Sequence, residues 1–274
     1  MNDMRPLVSV VIPMRDEVAA AEPLILEVAA VLAARPHEII VVDDGSTDGT
    51  DRALRALATR MPRLRLHRHP QSRGQSTAIR SGVRLARAPL IVTLDGDGQN
   101  PPDQIPLLLV PFEKAGHDLG LVQGQRAVRR DSAAKRLASR FANAIRGALL
   151  GDGVRDSGCG LKAFRRDAYL DLPFFDHIHR FMAAMMLREG WRVETVDVTH
   201  RPRHGGRSKY SNLARGLVGI PDLLGAAWLI RRSGRAGLAV PEPACCHAAA
   251  EADEWKAVSP SATGGIVANS PKSR

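Results

Sequence analysis

Leu90-Ile-Val-Thr-Leu-Asp-Gly-Asp-Gly-Gln-Asn-Pro-Pro102 is the stretch on which the fold turns. Its opening run is apolar or β-branched and reads as a buried strand. The run ends in two carboxylates, Asp95 and Asp97, one residue apart. Hard divalent cations such as Mg²⁺ and Mn²⁺ prefer oxygen ligands, so a strand tip carrying Asp-x-Asp suits such an ion. The ion in turn suits a diphosphate. Pro101 and Pro102 then stiffen the loop. Alone, Asp-x-Asp is also a common surface turn; its neighbours decide between the two.

Upstream, Leu7-Val-Ser-Val-Val-Ile12 is a second β-rich run, followed by Pro13 and Met14-Arg-Asp-Glu17. Glu38-Ile-Ile-Val-Val42 is a third, ending in Asp43-Asp-Gly-Ser-Thr-Asp-Gly-Thr50. The last segment also reads as a turn with a helix cap at Ser46 or Asp48. Between the runs, Leu24, Ile25, Val28, Val31 and Leu32 keep a helical spacing, as do Leu54, Leu57, Ala58 and Met61. Strands alternating with helices predict an α/β fold: a mainly parallel, Rossmann-like sheet with helices on both faces. Ligands of such sheets lie beyond the carboxyl ends of the strands. Glu17, Asp44, Asp95 and Asp97 are expected to converge there.

The chain has 274 residues and a net charge of +10, with 4% aromatics and three cysteines. That length permits one domain of ample core. Three cysteines give no disulfide framework and fit a reducing compartment. Residues 1–12 lack the basic start and long apolar core of a signal peptide. The charge calls for an anionic partner. With so few aromatics and no basic helix interleaved with stacking rings, nucleic acid is not that partner.

Gln71-Ser-Arg-Gly-Gln75 precedes a helical pattern, with Arg73 read either as a ligand contact or as a residue packing that helix on the sheet. Arg126 follows a short strand at Leu119–Val122, and Arg129, Arg130, Lys135, Arg136 and Arg140 follow it. Leu137, Phe141, Ile145 and Leu149 form one apolar helix face. Lys135 and Arg146 read as its solvated side, whereas Arg126 and Arg140 suit phosphate, because the guanidinium fork pairs with phosphate oxygens. In Asp156-Ser-Gly-Cys-Gly-Leu-Lys162 the glycines allow close backbone approach to a substrate, and Cys159 reads as packing. His200-Arg-Pro-Arg-His-Gly-Gly-Arg-Ser-Lys-Tyr210 is glycine-containing and basic, as a loop closing on a diphosphate requires.

Leu213, Leu217, Ile220, Leu224 and Trp228 then fall on one helical stripe, with Arg231, Arg232 and Arg235 after it. A spanning helix needs about 20 mainly apolar residues. Arg215, Pro221 and Asp222 interrupt this one, which predicts an amphipathic helix lying in a membrane interface. The alternative is a helix packed on the domain. From Ala236 to Arg274 the pattern dissolves into a disordered tail. The expected organisation is a catalytic domain over 1–210, the interface helix over 211–235 and the tail over 236–274.

Together, Val-Ile-Pro-x-x-x-Glu, Val-Val-Asp-Asp-Gly-Ser-Thr-Asp-Gly-Thr and Asp-Gly-Asp-Gly-Gln-Asn-Pro-Pro resemble family 2 glycosyltransferases of GT-A fold. Within them the closer resemblance is to the polyprenyl-phosphate sugar transferases, from about Val8 to Arg232. The resemblance implies that Pro13 and Glu17 line the base and ribose pocket and that Asp44 hydrogen-bonds the base. It implies Asp97 as principal ligand of Mg²⁺ or Mn²⁺, with Gln99 second and Asp95 at the ribose or the metal. Where the family has Asn before its Glu, this chain has Asp16. Arg126 and then Arg140 become phosphate ligands, and Arg203, Ser208 and Lys209 fall in register with the family's closing loop. Asp156 is an orienting group or, for a hydroxyl acceptor, a general base.

The implied activity is inverting, metal-dependent transfer of a sugar from a nucleotide-diphosphate donor, GDP-mannose or a UDP-hexose, to a polyprenyl phosphate. It would run at the inner face of the cell membrane, as a peripheral cytoplasmic enzyme. Two alternatives stay open: a family 2 enzyme with a hydroxyl acceptor in a polysaccharide or glycolipid, and a non-catalytic nucleotide-sugar or membrane-binding module. The sequence leaves the oligomeric state open.

Overall fold

The computed structural model describes residues 6–126, 146–201 and 212–232. Seven strands form one sheet: β1 (Val8–Met14), β2 (His37–Asp43), β3 (Leu64–Arg68), β4 (Leu90–Thr93), β5 (Leu119–Arg126), β6 (Lys162–Arg165) and β7 (Arg192–Val198). Their order is β3-β2-β1-β4-β6-β5-β7. β1 runs parallel to β2 and β4, β2 to β3, and β5 to β7. Strand β6 alone is antiparallel, inserted between β4 and β5. The expected mainly parallel sheet is therefore present.

Around the sheet lie α1 (Val18–Val31), α2 (Thr50–Ala58), α3 (Gln75–Leu85), α4 (Ile105–Lys114), α5 (Arg166–Asp171), α6 (Met182–Arg188) and α7 (Asn212–Arg232). The central strands are covered on both faces and are buried almost throughout. Leu24, Ile25, Val28 and Leu32 of the α1 stripe are buried, as are Leu54 and Leu57 of α2. Helix α3 sits so low on β1 and β2 that a Cβ at Gly82 would lie 2.4 Å from Val11 Cγ1. Glycine is what lets its first turn reach the strand tips.

Arg146 corrects the reading of it as a solvated residue. It is 9% exposed and paired with buried Asp152, and it donates to the Val154 carbonyl. A carboxylate six residues ahead supplied the partner that made burial tolerable.

Helix α7 packs one face on the domain and leaves another exposed. Ala226 and Ala227 are buried in the core shared with α6, and Leu223, Leu229 and Ile230 pack against it. Asp222 accepts a 2.7 Å hydrogen bond from His177 Nδ1. On the opposite side Ile220, Leu224 and Trp228 are 53%, 59% and 58% exposed. No helix among the described residues is long and apolar enough to cross a membrane.

Candidate active site

The carboxyl ends of β1, β2, β4 and β5 surround a cavity of about 680 Å³, closed on one side by the 158–162 segment and on another by 179–182. Pro13, Glu17, Asp44, Asp95, Asp97, Gln99 and Arg126 all line it, as the sequence predicts. Asp156 lies behind Arg126. Arg140, Arg203, Ser208 and Lys209 lie outside the described residues.

One end of the cavity is built by two interlocked loops. Asp16 has φ 53°, a left-handed conformation that a short polar side chain tolerates. Its backbone N–H donates to Ser46 Oγ, and its Oδ1 accepts from the Thr47 N–H. Asn or Asp suits this position for that reason. Asp48 accepts from Thr50 and also from the Val18 N–H at the start of α1, so it serves two helices at once.

Asp44 is saturated. Oδ1 accepts from His69 Nδ1 at 2.7 Å and the Arg73 N–H at 2.8 Å; Oδ2 accepts from Ser72 Oγ at 2.7 Å and the Gly74 N–H at 2.9 Å. Burial opposes its charge, but these four donors prevail and hold its carboxyl below the ordinary aspartate value. It thereby fixes the Ser72–Gly74 turn at this end of the cavity. Arg73 contributes its backbone N–H to Asp44, and its side chain is exposed.

The acidic centre is different. Asp95 is recessed in the wall, accepting from Gln75 Nε2 at 2.8 Å and Asn100 Nδ2 at 3.3 Å. Desolvation at this depth, then the charge of Asp97, push its pKa up despite Lys162, Asn100 and Gln75. Asp97 Oδ1 accepts from the Gln99 N–H at 3.1 Å, which folds the loop so that Gln99 faces the same space. Among the described residues no three His, Cys, Asp or Glu side chains form a metal cluster by themselves. Two carboxylates and an amide oxygen are nevertheless the donors a hard cation takes. A divalent charge beside Asp95 would offset its unfavourable ionisation. The remaining positions of such an ion would fall to substrate oxygens and water.

On the far side Arg126, at the end of β5, grips Asp156. Its Nε lies 2.5 Å from Oδ2 and Nη2 2.8 Å from Oδ1. Asp156 is buried and accepts on both oxygens. This fork–fork pair presents one edge of the guanidinium to the cavity.

Sequence reasoning assigned no role to three further lining residues. Lys162 is 3% exposed. His179 is recessed, its Nδ1 2.7 Å from Ser76 Oγ, and burial holds it well below its ordinary pKa, hence neutral at pH 7. Arg180 follows it. His177-Ile-His-Arg180 forms a short 3₁₀ turn with no apolar period to announce it, and only its run of basic side chains was available as a signal.

The family model described as Glycosyl transferase family 2 matches residues 9–172. The dodecaprenyl-phosphate galacturonate synthase of Rhizobium johnstonii is 34% identical over 235 residues, 84% of this chain and 69% of the relative. The undecaprenyl-phosphate 4-deoxy-4-formamido-L-arabinose transferase of Pseudomonas aeruginosa is 37% identical over 213 residues, 75% of this chain and 60% of the relative. The chain thus spans less than two thirds of that second relative. Among solved structures, glucosyl-3-phosphoglycerate synthase from Mycobacterium tuberculosis with Mg²⁺ and UDP superposes with a TM-score of 0.61 at 20% identity. That match covers 82% of this chain and 79% of the other. Mannosyl-3-phosphoglycerate synthase from Rubrobacter xylanophilus gives 0.59 at 18%, over 83% and 72%. At these identities the likeness is one of fold.

Proposed function

Because the chain belongs to glycosyl transferase family 2, we propose that it moves a sugar from a nucleotide-diphosphate donor to a polyprenyl phosphate. The names of the two relatives support that acceptor class. The observation that carries the reading is the Arg126–Asp156 pair. A hydroxyl acceptor needs a base, and Asp156 was the sequence's candidate. Both its oxygens accept from Arg126, so taking up a proton would forfeit the charge that holds the pair. A phosphate monoester, with its second pKa about 6, is already largely dianionic at neutral pH and needs no base.

In this reading Pro13, Glu17 and the Asp44-anchored turn receive the nucleoside. Asp95, Asp97 and Gln99 hold Mg²⁺ or Mn²⁺, which when bound supplies Lewis-acid charge to the diphosphate leaving group. Arg126, oriented by Asp156, takes the acceptor phosphate; Arg140, Arg203, Ser208 and Lys209 are further phosphate ligands by sequence. The acceptor oxygen attacks the anomeric carbon opposite the diphosphate. The new C–O bond forms as the old one breaks, with inversion. Neutral His179 offers the sugar a hydrogen-bonding group without charge.

The exposed stripe Ile220, Leu224 and Trp228, ending in Arg231 and Arg232, is the surface proposed to rest on an anionic membrane. The prenyl acceptor would be met there, at the inner face.

The test is transfer of label into a lipid-extractable product, using polyprenyl phosphate, Mn²⁺ or Mg²⁺, and a panel of UDP- and GDP-sugars that includes a uronate. One labelled lipid from one donor is the expected result. Donor turnover only with a hydroxyl acceptor would replace the acceptor assignment.

A further inference from the structure

None of the steps above uses Lys162, yet it is the most deeply placed cation of the cavity wall. It opens β6, in register with Thr93 of β4 and Gln123 of β5, and is 3% exposed. Its ammonium donates to the Cys159 carbonyl and reaches the Ser157 carbonyl at 3.5 Å. Burial pulls its pKa down, while Asp95 and Asp156 favour its charge and Arg126 opposes it. A buried ammonium is costly unless paired, and a methionine of similar length would fill the same space without that cost. The fold alone does not need this charge.

What the charge touches is the 156–161 segment. Thr93 Oγ1 donates to the Gly160 carbonyl at 3.0 Å, the Gly124 N–H to the Leu161 carbonyl at 3.0 Å, and Gln123 Nε2 to the Cys159 carbonyl at 3.3 Å. Gly160 lies so close to the acidic centre that a Cβ there would sit 2.3–2.4 Å from the Asp95 carboxylate. One end of the segment therefore rests on Asp95. The other end carries Asp156, which holds the Arg126 fork. Lys162 draws in the two carbonyls between these ends.

We propose that Lys162 is a positioning residue: by gathering the Ser157 and Cys159 carbonyls it sets the Arg126–Asp156 pair at working distance from Asp95. This rests on the acceptor role given to Arg126 above. Its signature is a split. Nucleotide binding, which uses Pro13, Glu17 and the Asp44 turn, survives the loss of Lys162, and use of the acceptor does not.

The test takes the full chain with Lys162→Met and Lys162→Arg. Binding of UDP and of GDP with Mn²⁺ is measured by calorimetry, thermal midpoint by calorimetric scan, and transfer by varying the acceptor. For Lys162→Met the expected results are nucleotide affinity within about threefold of wild type and kcat/KM for the acceptor down about 100-fold, the scale of a misplaced reacting group. Lys162→Arg is expected to recover at least about tenfold of that loss, since it keeps the charge. Transfer by Lys162→Met within about threefold of wild type overturns the proposal. So does an equal loss of nucleotide binding and transfer, which would mark a site-wide structural role. If Lys162→Met does not fold, Lys162→Gln carries the same comparison. Should the wild type use a hydroxyl acceptor, the proposed acceptor fails, and the variant-to-wild-type ratio on that acceptor still decides the role of Lys162.

Discussion

Two aspartates a few ångströms from one cavity are held in opposite ways. Asp44 is surrounded by donors and ionises readily; Asp95 is recessed beside another carboxylate and resists ionisation. A carboxyl whose pKa is raised on folding binds its proton more tightly in the folded state. Stability is therefore lost as pH rises from the ordinary aspartate value through the raised one. Asp95→Asn is expected to raise the thermal midpoint at neutral pH, by about 2–4 °C for each kcal/mol relieved. The gain should vanish in acid, and transfer should be abolished. Scanning calorimetry at two pH values, paired with the transfer assay, checks this. Asp156→Asn loosens the Arg126 fork and is expected to lower kcat/KM for the acceptor by up to about 100-fold while leaving the shape of the pH–rate profile unchanged, whereas loss of a general base would remove its acidic limb; steady-state assays across pH separate the two. At this scale the sequence was legible where chemistry imposes a residue type. Asp95 and Asp97 stood out because paired carboxylates at a strand tip suit a hard cation, while Gln99 and Arg126 were singled out through the family resemblance. Lys162 and His179 were not, because their meaning depends on which backbone carbonyl or hydroxyl stands opposite, and that is set by β6 and the 178–180 turn.

The elements follow their periodicity. Strands β1, β2 and β4 appear where apolar runs end in polar loops, and α1 and α2 bury Leu24, Ile25, Val28, Leu54 and Leu57 of the predicted stripes, with Val31 and Ala58 partly exposed and Met61 beyond the end of α2. Less legible was β6, Lys162–Arg165, a four-residue strand whose alternation is too short to register. Its antiparallel insertion is a tertiary outcome. Helix α7 illustrates a stripe read without its partner: the sequence located Ile220, Leu224 and Trp228, and the opposite Ala226-Ala227 face became visible only once packed on α6. Because the three apolar side chains are exposed, Leu224→Asp with Trp228→Ser is expected to leave the thermal midpoint within about 2 °C. Binding to anionic vesicles should fall at least tenfold, since burying one large side chain is worth about 1.5–3 kcal/mol. Co-sedimentation reads the outcome. The His177–Asp222 hydrogen bond ties α7 to the turn carrying His179. Asp222→Ala is expected to cost about 1 kcal/mol, discounted from a buried charged pair because both groups are partly exposed. Chemical denaturation measures it.

Over the whole molecule the net charge of +10 favours association with an anionic surface and makes it salt-sensitive. Raising salt from 0.05 to 0.5 M is expected to release the protein from anionic vesicles while leaving calorimetric affinity for nucleotide with Mn²⁺ less affected. Retention on vesicles at the higher salt would assign binding to the apolar stripe alone. The sheet order has another consequence, one of timing. Strands β1 to β4 are contiguous in the chain, so the first half of the sheet can assemble as it leaves the ribosome. Strand β4 then waits: its second neighbour, β6, is synthesised roughly seventy residues later, several seconds at about 5–20 residues per second. Throughout that interval Leu90-Ile-Val-Thr93 presents an open, apolar edge to the nascent-chain environment. The strand left open to mispairing in that interval is thus the one that leads directly into Asp95 and Asp97.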